Sequence, residues 1–235
     1  GKSNMKIVYC HHEQACSIAA ESYSRITNKL ATVNVTTGPG GINAINGVFG
    51  AWTDSIPMLI ISGQVKRETL VSTYGENGGW RQLGDQEVDI VNMVKGITKY
   101  SILLTDPSTI KYHLDKAIYL ALNGRMGPCW IDIPADIQGM QIEDKYLNVD
   151  DLSVDYLTNE KSINSTQLYN ICLMKNILDK SEKPLVLAGY GIHLSDSQEK
   201  FLKFINKYTI PLVTTFLSRD HVDYRHNLNI GTIGI

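Results

Sequence analysis

Short apolar runs rich in β-branched residues alternate along this chain with segments of helical period, and this alternation constrains the fold more than any other feature. The runs predict strands at residues 7–10, 31–35, 58–62, 99–103 and 129–133, and the periodic segments predict helices at 14–28, 43–54 and 109–123. Parallel strands need a crossover connection, which is usually a helix. The sequence therefore predicts an α/β fold, a parallel sheet flanked by helices, in a first domain at 1–135.

A polar segment separates this pattern from a second one. Residues 136–164 are rich in Asp, Asn and Ser and predict an interdomain linker. Beyond it, a helix at 166–178, a strand at 185–188, a helix at 196–208 and a strand at 212–215 predict a partial second α/β domain at 165–235. Because the chain opens at Gly1 and stops in mid-pattern, we expect a fragment, truncated at the start of the first domain and the end of the second.

Charge, apolar run length and cysteine spacing exclude several classes of protein. The chain has 22 basic and 24 acidic residues, which gives a net charge of −2 and no footprint for nucleic acid. Its apolar runs are far shorter than the roughly 18 to 20 residues of a membrane span. Its 4 cysteines contain no C-x-x-C pair, so neither a disulfide framework nor a metal site is expected. A reducing, cytoplasmic setting is the simplest interpretation.

Ligands of open parallel sheets bind beyond the carboxyl ends of the strands, so the turns there are the candidate sites. After the first predicted strand, Glu13 opens a helix, where it is either a carboxylate favoured by the helix dipole or a catalytic group. The second turn contains Gly38 and Asn43 in a Gly-Pro-Gly-Gly context, which suits either a tight turn or a ligand cradle. A long polar loop runs from Ser62 to Gln86, which we interpret as a mobile lid.

These turns, taken in order, resemble the pyrimidine-binding domain of thiamine-diphosphate-dependent enzymes of the acetolactate synthase type. The resemblance covers nearly all of residues 6–135, and residues 165–235 resemble the start of the central domain of the same family. The segments that carry it are HEQ at 12–14, TGPGGINA at 37–44, ISGQV at 61–65, QEVDI at 86–90, GRMGP at 124–128 and IDIP at 131–134.

The resemblance implies a cofactor site and its residues. Glu13 matches the glutamate that contacts N1′ of the cofactor's aminopyrimidine and so promotes loss of the thiazolium C2 proton, which forms the ylide nucleophile. Gly38, Pro39 and Asn43 would line the pyrimidine pocket, and Gln64 and Gln86 match glutamines near the reacting centre. We therefore expect Glu13 and Gln86 to be catalytic, and Glu13, Gly38, Pro39, Asn43 and Gln64 to bind thiamine diphosphate.

Further cofactors follow from the same resemblance. The family holds Mg²⁺ and the diphosphate in a third domain, which lies outside this chain. FAD, which some relatives keep in the central domain, would lie near residues 189–191, where an ordinary turn is the alternative.

The implied activity makes or breaks a carbon–carbon bond of a 2-oxoacid or related carbonyl donor. Asp85 stands where acetolactate synthases usually carry an aromatic residue, and the loop before it is longer than theirs, so the donor is left open. The family's active site lies between subunits, which implies a homodimer or homotetramer, and the chain alone is expected to be inactive. The alternative is a non-catalytic nucleotide-binding or regulatory relative of the same fold.

Overall fold

The computed structural model describes residues 6–75, 80–147 and 165–234. The chain divides into two compact units, unit 1 at 1–158 and unit 2 at 159–235. The boundary falls in the segment predicted to be a linker, of which residues 148–164 lie outside the described residues. Among the described residues, no helix combines the length and the apolar character that crossing a membrane requires.

Unit 1 contains a four-stranded parallel sheet, which confirms the predicted fold class. Its strands are β1 (Ala31–Val35), β2 (Met58–Gln64), β3 (Tyr100–Leu103) and β4 (Pro128–Pro134), in the spatial order β1-β2-β4-β3. In the register between β2 and β4, Ile60 lies beside Trp130 and Ser62 beside Asp132. Because side chains alternate along a strand, these four point to the same face of the sheet.

Helices cover both faces of this sheet. They are α1 (Glu13–Thr27), α2 (Pro39–Asp54), α3 (Ile90–Val94) and α4 (Ile110–Leu122), followed by the short α5 (Ala135–Gln138) and α6 (Asp144–Leu147). Ala117 and Ala121 of α4 pack against Leu59, Cys129 and Ile131 on one face. The other face carries Trp130, and α2 reaches it closely, since a Cβ added at Gly41 would lie 3.6 Å from the indole.

The helices α1 and α2 contact each other at two places along their length. Ser17, one turn into α1, faces Gly47, about two turns into α2, so closely that a Cβ added at Gly47 would lie 2.5 Å from the Ser17 hydroxyl oxygen. Near their other ends, Arg25 of α1 forms ion pairs with Glu21 and with Asp54 of α2. The N-terminal residues of the two helices are therefore held at a fixed separation.

The first predicted strand is wrong. Residues 6–10 form no strand, and they are exposed, Tyr9 to 90%. A β-branched run becomes a strand only when a neighbour completes its ladder of hydrogen bonds, and none of the described strands pairs with this one. The second helix was also placed too late, since α2 begins at Pro39 rather than at 43. Proline fits the first helical turn because its missing N–H is not needed there.

Unit 2 contains a second, smaller parallel sheet, in agreement with the predicted partial α/β domain. Its strands β5 (Val186–Ala188), β6 (Leu212–Thr214) and β7 (Asn229–Thr232) lie in that order. Its helices are α7 (Ser165–Lys180), α8 (Gly191–Leu194) and α9 (Gln198–Tyr208). Strand β7 was not predicted, because Gly231 at φ +138° and a shift of register opposite Leu212 and Val213 interrupt its alternating pattern.

Candidate active site

The first turn of α1 carries Glu13, at the carboxyl edge of the sheet. His12 caps the helix, since its Nδ1 accepts a hydrogen bond from the backbone N–H of Gln14 at 3.1 Å. The Glu13 Oε2 accepts a hydrogen bond from the Asn43 side-chain amide at 3.1 Å, which joins the N-terminal turns of α1 and α2. The other oxygen, Oε1, lies 3.7 Å from the position of a Cβ added at Gly40. The absence of a Cβ at position 40 is required by Thr36, whose methyl carbon would lie 2.8 Å from it, and Oε1 of Glu13 faces the same glycine turn.

The surroundings of Glu13 favour its ionised form. The backbone N–H of Glu13 and then the Asn43 amide hold the pKa of this carboxyl below its ordinary value, against a smaller opposing effect of burial. The group is half-buried and is an acceptor at neutral pH. In this unliganded site Glu13 therefore acts as a hydrogen-bond acceptor that does not hold a proton.

The turn at Gly38 touches the segment that carries Gln86. Gly38 has φ +56°, and a Cβ there would lie 2.2 Å from the carbonyl oxygen of Gln86. Gln86 also has a positive φ, +58°, and its side chain is exposed. Pro39, the first residue of α2, is exposed next to this contact. The structure thus brings Glu13, Gly38, Pro39, Asn43 and Gln86 to one edge of the sheet.

Gln64 differs from the other predicted site residues because its amide is used within the protein. Its Nε2 donates to Asp132 Oδ2 at 2.8 Å and to the Val88 carbonyl at 3.0 Å. Its Oε1 accepts from the Thr37 hydroxyl at 2.8 Å and from the Val65 N–H at 2.9 Å. Two donated and two accepted bonds fill the capacity of a glutamine amide. The side chain is 5% exposed.

Asp132 is a residue of the candidate site that the sequence motifs did not indicate. Its Oδ1 accepts a hydrogen bond from the Ser62 hydroxyl at 2.5 Å, and Ser62 Oγ accepts one from the Trp130 indole at 2.7 Å. Burial, with a smaller contribution from the charge of Asp89, raises the pKa of Asp132 to about 6, although the hydrogen bonds from Ser62 and Gln64 lower it. A polar residue at an inward position of an apolar strand was the available signal.

The long loop after β2 is tied down at the residues on either side of its tip. The Glu87 carboxylate accepts hydrogen bonds from the backbone N–H groups of Val71 at 2.7 Å and of Leu83 and Gly84, both at 3.1 Å. Tyr74 and Trp80 meet edge to face, with ring centroids 5.6 Å apart. Residues 76–79, the tip of the predicted lid, lie outside the described residues. Asp85 is exposed at the end of this loop.

A cavity of about 710 Å³ adjoins the site at the carboxyl ends of β1, β2 and β4. Asn34, Thr36, Thr37 and Gln138 are among the residues that line it. In the part of the chain that the structure describes, no group of three or more His, Cys, Asp or Glu side chains is arranged to hold a metal ion. The predicted FAD position lies in unit 2, where Tyr190 precedes α8 and stacks on His193 at 5.1 Å between ring centroids.

Comparison with known proteins bears on both units. Residues 1–93 match a family model described as thiamine pyrophosphate enzyme, N-terminal TPP binding domain, and residues 173–235 match thiamine pyrophosphate enzyme, central domain. The acetolactate synthase large subunit of Lactococcus lactis subsp. lactis is 32% identical over 228 residues, which are 97% of this chain and 37% of that protein. The acetolactate synthase large subunit of Buchnera aphidicola subsp. Acyrthosiphon pisum is 34% identical over 233 residues, 97% of this chain and 38% of that protein. The chain thus spans less than two fifths of the length of these relatives.

Proposed function

This chain belongs to the thiamine pyrophosphate enzymes, and we propose that its unit 1 binds the aminopyrimidine of thiamine diphosphate and moves a proton at that ring through Glu13. The observation that carries the proposal is the arrangement of the Glu13 carboxylate. One oxygen is held by Asn43 at 3.1 Å, and the other faces the glycine turn, 3.7 Å from the position that a Cβ of residue 40 would take.

The residues present fit an aminopyrimidine. A flat heteroaromatic ring needs a partner for its ring nitrogen and a surface without protruding side chains. Glu13 supplies a carboxylate, and the turn at Gly38 to Gly41 supplies backbone beside the helix N-terminus. When bound, thiamine diphosphate supplies an acidic carbon whose conjugate base adds to carbonyl substrates.

The work of the protein is to hold and move one proton. Asn43 fixes Oε2 of Glu13, which would leave Oε1 to meet the ring nitrogen. In the unliganded site the carboxyl pKa lies below its ordinary value. Covering the carboxylate with an aromatic ring removes water and raises that pKa, so Glu13 takes up a proton as the pocket fills. The backbone of Gln86 meets Gly38 at the same edge, and we propose that its exposed side chain contacts the substrate.

The whole protein would act on a 2-oxoacid or a related carbonyl donor, as a transferase or lyase. The names of the relatives support the acetolactate synthase type, while Asp85 and the long loop leave the identity of the donor open. Since the chain spans 37% of the length of one such relative, we place the Mg²⁺ and diphosphate site outside it and expect the chain alone to be inactive. FAD, if it is used, would lie at residues 189–191 of unit 2, and the protein would be cytoplasmic.

An apolar outer face of α1 supports a homodimer or homotetramer. Ile18, Tyr23 and Ile26 lie on that face, and Ile26 is 78% exposed. Small residues, Ala15 and Ala19, lie between them and permit close packing. Light scattering on the full-length protein tests this proposal, and a monomer contradicts it.

The variant Glu13→Gln in the full-length protein tests the proposed role of Glu13. We expect exchange of the cofactor C2 proton with deuterium to slow by roughly 10²- to 10⁴-fold, because a glutamine amide cannot shuttle the proton. Exchange is followed by NMR after acid quenching, with saturating thiamine diphosphate and Mg²⁺. Glu143→Gln is the matched control, since Glu143 is an exposed carboxylate that forms an ion pair with Lys145.

Two outcomes contradict the proposal. Exchange in Glu13→Gln within threefold of the wild-type rate rules out the assigned role. No exchange in the wild type favours the non-catalytic relative of the same fold instead.

A further inference from the structure

Asp132 is a buried carboxylate that has no role in the proposed function. It lies near the carboxyl end of β4 and is 1% exposed. The neutral donors Ser62 and Gln64 bind its two oxygens at 2.5 and 2.8 Å. The charged group that acts on it is Asp89, a second carboxylate, which makes its ionisation harder. Because burial of a carboxylate beside neutral donors and another acid is unfavourable, this group calls for an explanation.

Asp132 determines how the Gln64 amide is oriented. An ionised carboxylate only accepts hydrogen bonds, so it faces the nitrogen of the amide. The same nitrogen reaches the Val88 carbonyl at 3.0 Å. The amide oxygen must then point the other way, where it accepts from the Thr37 hydroxyl at 2.8 Å. A flipped amide would set oxygen against two acceptors and nitrogen against the donors.

The amide of Gln64 spans the contact that shapes the proposed pyrimidine pocket. Thr37 directly precedes Gly38, and Val88 follows Gln86 by two residues. Gly38 and Gln86 are the two residues whose backbones meet. One buried amide thus holds the chain on both sides of this meeting point.

We propose that Asp132 is a positioning residue: through Gln64 it holds the Thr37–Gly38 turn and the Gln86 segment in the arrangement that receives the aminopyrimidine. The proposal rests on the proposed function for its consequence. It gives Gln64 the role of a link between Asp132 and the turn rather than that of a contact to the cofactor.

The protonation state of Asp132 provides a readout that needs no cofactor. Its pKa is about 6, raised by burial and by Asp89, while its partners Ser62, Gln64 and the Trp130 indole are neutral. Trp130 donates to Ser62, which donates to Asp132, so the indole N–H chemical shift reports the charge. We expect this NMR signal in the full-length protein to titrate near pH 6 and to stay constant in Asp132→Asn. An indole signal that does not change between pH 5 and 7.5 overturns the coupling.

The second arm measures C2-proton exchange in the full-length protein at pH 7.5 with saturating thiamine diphosphate and Mg²⁺. We expect Asp132→Asn and Thr37→Val each to slow exchange by about 10-fold or more, since small displacements of a reacting group have such effects. The double variant should be no slower than the slower single variant, because both act through Gln64. Asp144→Asn, an exposed residue, is the matched control at the wild-type rate.

The outcomes separate this proposal from the proposed function. Losses that multiply in the double variant, or a wild-type rate in Asp132→Asn, overturn the positioning role. If Asp132→Asn does not fold, Thr37→Val alone decides, and a wild-type rate in that variant also overturns the role. Loss of exchange in Glu13→Gln together with normal exchange in Asp132→Asn leaves the proposed function intact and refutes this one.

Discussion

The close approach of Gly38 and Gln86 makes a substitution at position 38 a severe test of how the site is built. A Cβ at Gly38 would lie 2.2 Å from the Gln86 carbonyl oxygen. Carbon–oxygen contacts without covalent bonding are about 3.3 Å at their closest, so the Gln86 segment must move by about 1 Å to accept an alanine. The oxygen belongs to backbone, which cannot rotate away as the end of a flexible side chain can.

Two costs add in Gly38→Ala. A residue with a Cβ at positive φ costs about 1–2 kcal/mol, and an added methyl group in a packed position costs about 1–3 kcal/mol. We therefore expect unit 1 to lose about 2–5 kcal/mol of unfolding free energy. Gly50→Ala is the matched control, because Gly50 lies within α2 with nothing within 4 Å of its added Cβ. That variant should gain about 0.5–1 kcal/mol, since alanine is the better helix former.

Urea unfolding followed by tryptophan fluorescence measures both variants. The 3 tryptophans of the chain, Trp52, Trp80 and Trp130, all lie in unit 1, so the signal reports that unit. A Gly38→Ala protein with the wild-type unfolding midpoint refutes the close approach. Equal losses of unfolding free energy in Gly38→Ala and Gly50→Ala also refute the reasoning, because the loss would then not depend on the close contact with Gln86.

Two further predictions concern buried or shared carboxylates. Glu87→Gln should speed amide hydrogen exchange at Val71, Leu83 and Gly84 by about 10-fold, because a charged acceptor shared by three N–H groups is lost; unchanged exchange contradicts the anchoring of the loop. Asp132 binds its proton more tightly in the folded state, with its pKa raised from 3.8 to about 6, so stability falls as pH rises between these values, by about 3 kcal/mol. Unfolding free energies from pH 4 to pH 7 should show this fall in the wild type relative to Asp132→Asn, and equal pH profiles contradict it.

Most strands and helices of unit 1 were predictable because their local hydrophobic periodicity indicates the type of secondary structure. β1 was predicted at its observed bounds, since Ala31, Val33 and Val35 point inward and alternate with exposed residues. The run at 7–10 has the same local character and forms no strand. The difference is that β1 pairs with β2, whereas no described strand pairs with residues 7–10. Whether a partner strand is present depends on the tertiary structure and cannot be read from the run itself.

The sequence motifs predicted which residues would lie near one another at the candidate site, but not how those residues are connected. Order and spacing of motifs indicated Glu13, Gly38 and Asn43, and the structure brings all three to one sheet edge. The partnership of Gln64 with Asp132 depends on the pairing of β2 with β4 across 68 residues of sequence. Neither residue reveals its partner by type or spacing, because a register between distant strands is set by the packing of the whole sheet.

The contact between Ser17 and Gly47 has a consequence for anyone who diversifies this protein by directed evolution. Each lies one helical turn beyond a site residue, Ser17 beyond Glu13 and Gly47 beyond Asn43, and the helices nearly touch between them. Most substitutions at either position would push the two helices apart and move the Glu13 carboxylate. A library that randomises these positions would therefore yield mainly misplaced site residues rather than new specificities. Asp85, which is exposed at the end of the loop after β2, is the better position to vary, because a change there leaves the spacing of the two helices unchanged.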